Sequence, residues 1–121
     1  MSRRRIALMA SAAAVVPLAA AGLLLAQDTP RLTDTQKVVM ENPFVRVTEV
    51  RVPPGVAEPV HSHNRGVTVA LSDYDNETRA PGAQWVKSRT RVGEVKWSDP
   101  VTHEARNTGT TEQHVIRVEL K

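Results

Sequence analysis

From Lys37 to Lys121 the chain is a succession of short runs rich in β-branched residues, each cut off by a turn signal. "KVVM" stops at "ENP", and "FVRVTEVRV" alternates from Phe44 to Val52 and stops at "PPG". "GVTVALS" runs into the polar "DYDNETRAPG", whose Pro81-Gly82 is a turn dipeptide. "AQWVKSRTRV", "GEVKW" and "VTHEAR" follow, and "HVIRVELK" closes the chain. In that last run Ile116, Val118 and Leu120 share the face expected to turn inward. No helical period of useful length occurs after residue 36. Such spacing predicts an all-β domain, a small antiparallel sandwich or barrel. With one Phe, one Tyr and two Trp in 121 residues, valine must supply most of the packing.

The first 26 residues read differently. Arg3, Arg4 and Arg5 precede an apolar run from Ile6 to Ala26, and polar residues begin at Gln27. This is the charged-then-apolar order of an export signal peptide, with cleavage expected after Ala26. Leu24 departs from the small-residue rule at the cut, and the run is also long enough for an uncleaved membrane anchor. "SRRRIAL" loosely resembles the twin-arginine export pattern. The expected organisation is a signal over 1–26, a linker or flexible N-terminus over 27–36, and one barrel domain over 37–121. The expected location is outside the cytoplasm, periplasmic or secreted, with membrane contact only through the signal segment.

The whole chain carries 16 Lys+Arg against 13 Asp+Glu, but residues 1–26 hold three arginines and no acid. The remainder is balanced at 13 against 13. Its charge gives no reason to expect nucleic acid or an anionic membrane as partner. There is no cysteine, which excludes disulfides, lipid attachment through cysteine and thiolate metal sites. About 95 residues can build a small core, helped by a metal or a partner subunit. "NET" at Asn76 matches a glycosylation sequon, relevant only to a eukaryotic secretory route.

Chemistry concentrates in the histidines. His61 and His63 stand two apart in "PGVAEPVHSHNRG", so on a strand both rings point to one face. Imidazole is a common ligand for iron, zinc, copper and nickel. His103, in "PVTHEARN", is the candidate third ligand. Three histidines would leave coordination positions open for water, dioxygen or substrate. An exposed H-x-H is also compatible with two solvated side chains.

"GVAEPVHSH" resembles the first box of the cupin superfamily: glycine, five residues, then H-x-H. "GEVKWSDPVTHEARN" is similar to the second box, with Gly93, Pro100, His103 and Asn107 in order. The resemblance spans roughly Phe44 to Lys121 and implies a cupin jelly roll of the small single-domain bacterial kind. It implies metal ligation by His61, His63 and His103, and one divalent transition metal, iron first among Fe, Zn, Ni, Mn and Cu. Cupins usually add a glutamate after three or four residues that follow H-x-H; here Val67 and Thr68 occupy those positions. Some three-histidine cupins are non-haem iron dioxygenases acting on small organic molecules. Neutral ligands leave the ion's charge uncompensated, which favours an anionic or chelating substrate. Small cupins also dimerise by pairing or exchanging N-terminal strands, a part "KVVM" can play, so a homodimer is expected.

Other residues read more plainly. His114 shares parity with Ile116 and is expected to be a strand-end histidine. Glu49 and Glu58 are considered as replacement ligands and read as solvated strand or edge residues. Trp97 is expected to pack in the core or at an interface, and "DYDNE" to form a solvated hairpin end. Tyr74, Gln84 and Arg89 are pocket residues only by family position. Three functions remain open: a metal-dependent dioxygenase-like enzyme, a non-catalytic metal- or ligand-binding module such as a sensor or carrier, and a metal-free structural barrel.

Overall fold

A computed structural model describes residues 29–121, and the signal-peptide assignment at 1–26 lies outside them. The described residues form nine strands and no helix: β1 (Gln36–Glu41), β2 (Val45–Val52), β3 (Ala57–His63), β4 (Gly66–Ala70), β5 (Tyr74–Arg79), β6 (Val86–Thr90), β7 (Val95–Ser98), β8 (Val101–Asn107) and β9 (Gln113–Leu120). They make two antiparallel sheets that face each other as a jelly roll. The five-stranded sheet has the order β1-β2-β9-β4-β7 and the four-stranded sheet β3-β8-β5-β6.

Turn chemistry fixes the corners. The Asn42 side chain accepts from the backbone N–H of Phe44 and Val45, closing the β1–β2 hairpin. Gly55 and Gly93 hold left-handed backbone, with φ of 77° and 87°, in the turns that lead to β3 and β7. Asn107 latches the second turn. Its Nδ2 donates to the carbonyls of Val52 and Thr111, and its Oδ1 accepts from Gly109 N–H.

One end of the interior is apolar, built from Val50, Val52, Ala70, Tyr74 and Val115 with Val56 against them. The other end is polar. Strand β9 passes from one to the other: Val115 packs in the core, while Arg117 and Glu119, on the same face, point into the polar half.

This reverses the expected orientation of β9. Gln113, Val115, Arg117 and Glu119 are its buried residues, and Ile116, Val118 and Leu120 lie on the outer face. Register places Met40, Val47, Val118, Val67 and Trp97 in one outward row across all five strands. Alternation shows which residues share a face; here both faces are partly apolar, so it does not show which face is inside. His114 turns outward with Ile116 and meets Glu49, Nε2 to Oε1 at 3.0 Å.

The polar "DYDNE" is not a solvated hairpin end. It supplies β5, which lies between β8 and β6. Tyr74 is buried, Glu77 is buried against Arg106 at 2.5 Å, and Asn76 lines the interior cavity. The expectation fails because this strand carries charge outward and small polar side chains inward, so hydropathy gives it no strand signature.

Candidate metal centre

Strands β3 and β8 pair so that His61 stands directly opposite His103. The register holds an extra residue between Glu58 and His61: Glu58 faces Ala105, while His61 faces His103. This one-residue bulge falls at Pro59-Val60, where proline has no N–H to give to a ladder. Its effect is to put an even-numbered residue, Glu58, and the odd-numbered pair His61 and His63 on the same inward face. The bulge also releases the Pro59 carbonyl, which accepts a hydrogen bond from His61 Nδ1 at 2.7 Å.

The three rings converge through their Nε2 atoms. His61 Nε2 lies 3.0 Å from His63 Nε2 and 3.2 Å from His103 Nε2. The rings meet edge to face, with centroids 4.7 to 5.3 Å apart. Nitrogens about 2.0–2.1 Å from one ion sit roughly 3.0 Å apart at right angles and about 3.4 Å apart in a tetrahedron. The two spacings from His61 fall inside that range, and all three ligand atoms lie within 4.8 Å of one another, close enough to converge on one ion.

Hydrogen bonds determine which ring nitrogens face one another. His63 Nδ1 contacts Glu119 Oε1 at 2.5 Å, and the same oxygen accepts from Arg117 Nε at 3.0 Å. A carboxylate beside a guanidinium and a peptide carbonyl can only accept. Both His63 Nδ1 and His61 Nδ1 therefore carry the hydrogen, and in neutral rings both Nε2 atoms point lone pairs at each other. Burial pushes His63 below the usual imidazole range, partly offset by Glu119. Burial, followed by His61, His63 and Arg117, pushes His103 down to about 4. His63 and His103 are thus neutral at pH 7, the form that ligates metal. Burial works against ionisation of Glu119, but hydrogen bonds from His63 and Arg117 hold its carboxyl below the ordinary range.

The site opens on an interior cavity of about 260 Å³ lined by His63 and His103 together with Glu58, Asn76, Lys96 and Gln113. Glu58 is buried, not solvated, and accepts from the Thr35 hydroxyl. That bond links the segment before β1 to β3, where the edges of the two sheets meet. Glu58 is not among the side chains that cluster with the three histidines. A separate groove of about 870 Å³ runs between residues 29–35 and the outer side of β3, and His61 borders it.

Of the other candidates, Tyr74 lines the cavity, Glu49 lies outside with His114, and Arg89 is exposed near Asp75. Gln84 is also exposed. Trp97 is 56% exposed on the outer face. Thr68, at one position where the family's glutamate is expected, turns inward and accepts from Arg117 Nη1 at 3.1 Å. Arg117 and Glu119 are the residues that sequence reasoning missed. Their signal was present as the alternate parity of β9, Val115-Arg117-Glu119, but two charges among valines read as a solvent face.

No family profile matches the sequence, and a search of curated proteins finds no relative. Solved structures do resemble it. A cupin domain from Bordetella pertussis Tohama I superposes with a TM-score of 0.66 at 26% identity, covering 79% of this chain and 99% of that one. A Cupin 2 conserved barrel domain protein from Salinispora arenicola gives 0.52 at 21% identity over 88% and 87%. A double-stranded β-helix domain protein from Klebsiella pneumoniae gives 0.54 at 19% over 78% and 79%. The barrel topology and the histidine cluster agree with the first of these matches, and the chain has the fold of a small cupin.

Proposed function

We propose that the protein is an exported cupin that binds one divalent transition metal through His61, His63 and His103 and acts on a small anionic or chelating organic molecule, as a non-haem iron dioxygenase does. The observation that carries this reading is the approach of His61 and His63. Two Nε2 atoms held 3.0 Å apart, each with its Nδ1 hydrogen committed elsewhere, repel in neutral rings unless a metal ion or a proton lies between them. The donor set suits iron, zinc, copper or nickel, and availability decides among them. A bound ion would act as a Lewis acid on one face open to the cavity.

The chain's own residues would then do the rest. The pair Glu119–Arg117 is neutral as a unit, so the ion's charge is not cancelled by the protein. Lys96, half exposed, is bonded to Thr90 Oγ1 at 2.9 Å and paired with Glu94 at 3.5 Å, and it shares the cavity wall with the buried Glu58. The charge of the bound ion is what favours an anion. The cavity is smaller than the ~300–1,000 Å³ of sites for drug-sized ligands, which limits the substrate to a small molecule. Neither nucleic acid nor a membrane surface is called for. The test is dioxygen uptake by the iron-loaded protein against a panel of small carboxylates, thiols and diketones. Turnover that is lost in His103→Ala supports the enzyme; tight binding of anions without uptake would replace it with a non-catalytic carrier or sensor.

The protein is further proposed to be a homodimer. Strand β1 is an edge strand, and the outward row from Met40 to Trp97 gives that sheet an apolar outer surface. The outer surface of the other sheet carries the Arg79–Glu104 and Arg106–Glu77 pairs, with both guanidiniums stacked on Trp85. Only the first is suited to bury itself against a copy.

A further inference from the structure

We propose that Glu119, clamped by Arg117, is the positioning residue that sets the tautomer of His63 and so makes it a ligand. The inference rests on the metal reading above but concerns the apo protein as well. A neutral imidazole carries one hydrogen, on Nδ1 or on Nε2, and only a bare Nε2 can bind an ion at the point where the three rings meet. For His61 the choice is made by the Pro59 carbonyl. For His63 it is made by Glu119 Oε1 alone. His103 has no protein partner at Nδ1 among the described residues.

Glu119 can do this because Arg117 leaves it no freedom. The Arg117 guanidinium is itself buried and fixed at several points. It donates from Nη1 to Thr68 Oγ1 at 3.1 Å, and from Nη2 to the Asn64 carbonyl at 3.0 Å and Ser98 Oγ at 2.9 Å. These acceptors come from β4, from the turn between β3 and β4, and from β7, so the clamp is anchored independently of Glu119. With Arg117 Nε aimed at the same oxygen that His63 uses, the carboxylate stays ionised and can only accept. The pair stands beside Thr68, a position where the family's usual acid would ligate directly. Here the acid has moved one shell outward, to the far side of the imidazole. Removing such an orienting partner typically weakens metal binding about 10–100-fold.

The experiment is long-range ¹⁵N–¹H NMR of the histidine rings in the purified, chelator-treated protein, with zinc titration in parallel. The parent should show His63 as the Nδ1–H tautomer. Glu119→Gln keeps a carbonyl oxygen for both donors and should retain that tautomer and bind zinc within a few-fold of the parent. Glu119→Ala should release His63 to the Nε2–H form and bind zinc at least 10-fold more weakly. An Nε2–H tautomer in the parent overturns the inference without any variant being needed. So does a Glu119→Gln protein that is folded yet has lost the Nδ1–H form. Should the Ala variant unfold around an unpaired Arg117, the parent and Gln spectra still decide. A parent with the expected tautomer that binds no zinc would sink the metal reading and leave the tautomer assignment standing.

Discussion

Acidifying the metal-free protein should destabilise it in a window set by His103. In the unfolded chain this histidine takes up its proton near 6.5, and in the folded barrel only near 4. Between those values the unfolded state binds more protons, so stability falls as pH falls. From pH 7.5 to 4.5 the loss integrates to about 2.5 kcal/mol, or about 2 kcal/mol once the exposed part of the ring is allowed for. His63 is shifted in the same direction and adds to the loss. Glu41, Glu49 and Glu119 are held below the normal carboxylate range, so their contributions are lost only below the unfolded value of 4.5. The window above 4.5 therefore isolates the imidazoles. The assay is urea unfolding of chelator-treated protein followed by tryptophan fluorescence at several pH values. Stability should drop by about 2 kcal/mol or more across the window, and a His103→Gln variant should lose about 2 kcal/mol less. Constant stability, or the same slope in the variant, would refute the burial of a neutral His103 as the cause.

Three further outcomes follow from packing. Gly66→Ala would place a Cβ 2.0 Å from the Val118 carbonyl oxygen, in backbone that cannot yield, and should cost about 3 kcal/mol or prevent β4 from pairing with β9. Denaturant unfolding measures it, and a near-neutral result would show that the close approach of the two strands is not real. Asn107→Ala removes a buried side chain with three hydrogen bonds and should cost about 2–3 kcal/mol by the same measurement, without altering metal content. Trp97→Glu puts a charge at the β7 end of the outward apolar row; light scattering should show a monomer where the parent is a dimer, and a monomeric parent would remove the basis for the dimer.

The sequence made some features legible and hid others for definable reasons. Turn chemistry was legible: Gly55, Gly93, Pro81-Gly82 and Asn107 punctuate the strands where they were expected to. The spacing of His61 and His63 and the place of His103 were legible because two-residue periodicity and register bring them together. The bulge at Pro59 was hidden, and with it the inward turn of Glu58, because a one-residue insertion inverts parity without changing composition. Strand β5 was hidden because its inward residues, Asn76 and Thr78, are polar and line a cavity. Arg117 and Glu119 were hidden because they are charges at core positions on β9, flanked by Ile116, Val118 and Leu120, whose outward face is as apolar as a core. Pattern reading assigns charge to solvent; here each charge is buried only because the other, His63 and Thr68 satisfy it.

The most direct test of the central claim is elemental analysis of the protein purified without a histidine tag, beside a variant with His61, His63 and His103 all changed to alanine. About one transition-metal ion per chain in the parent and none in the variant is the predicted result. No metal in the parent even after reconstitution, or equal metal in both, would contradict it.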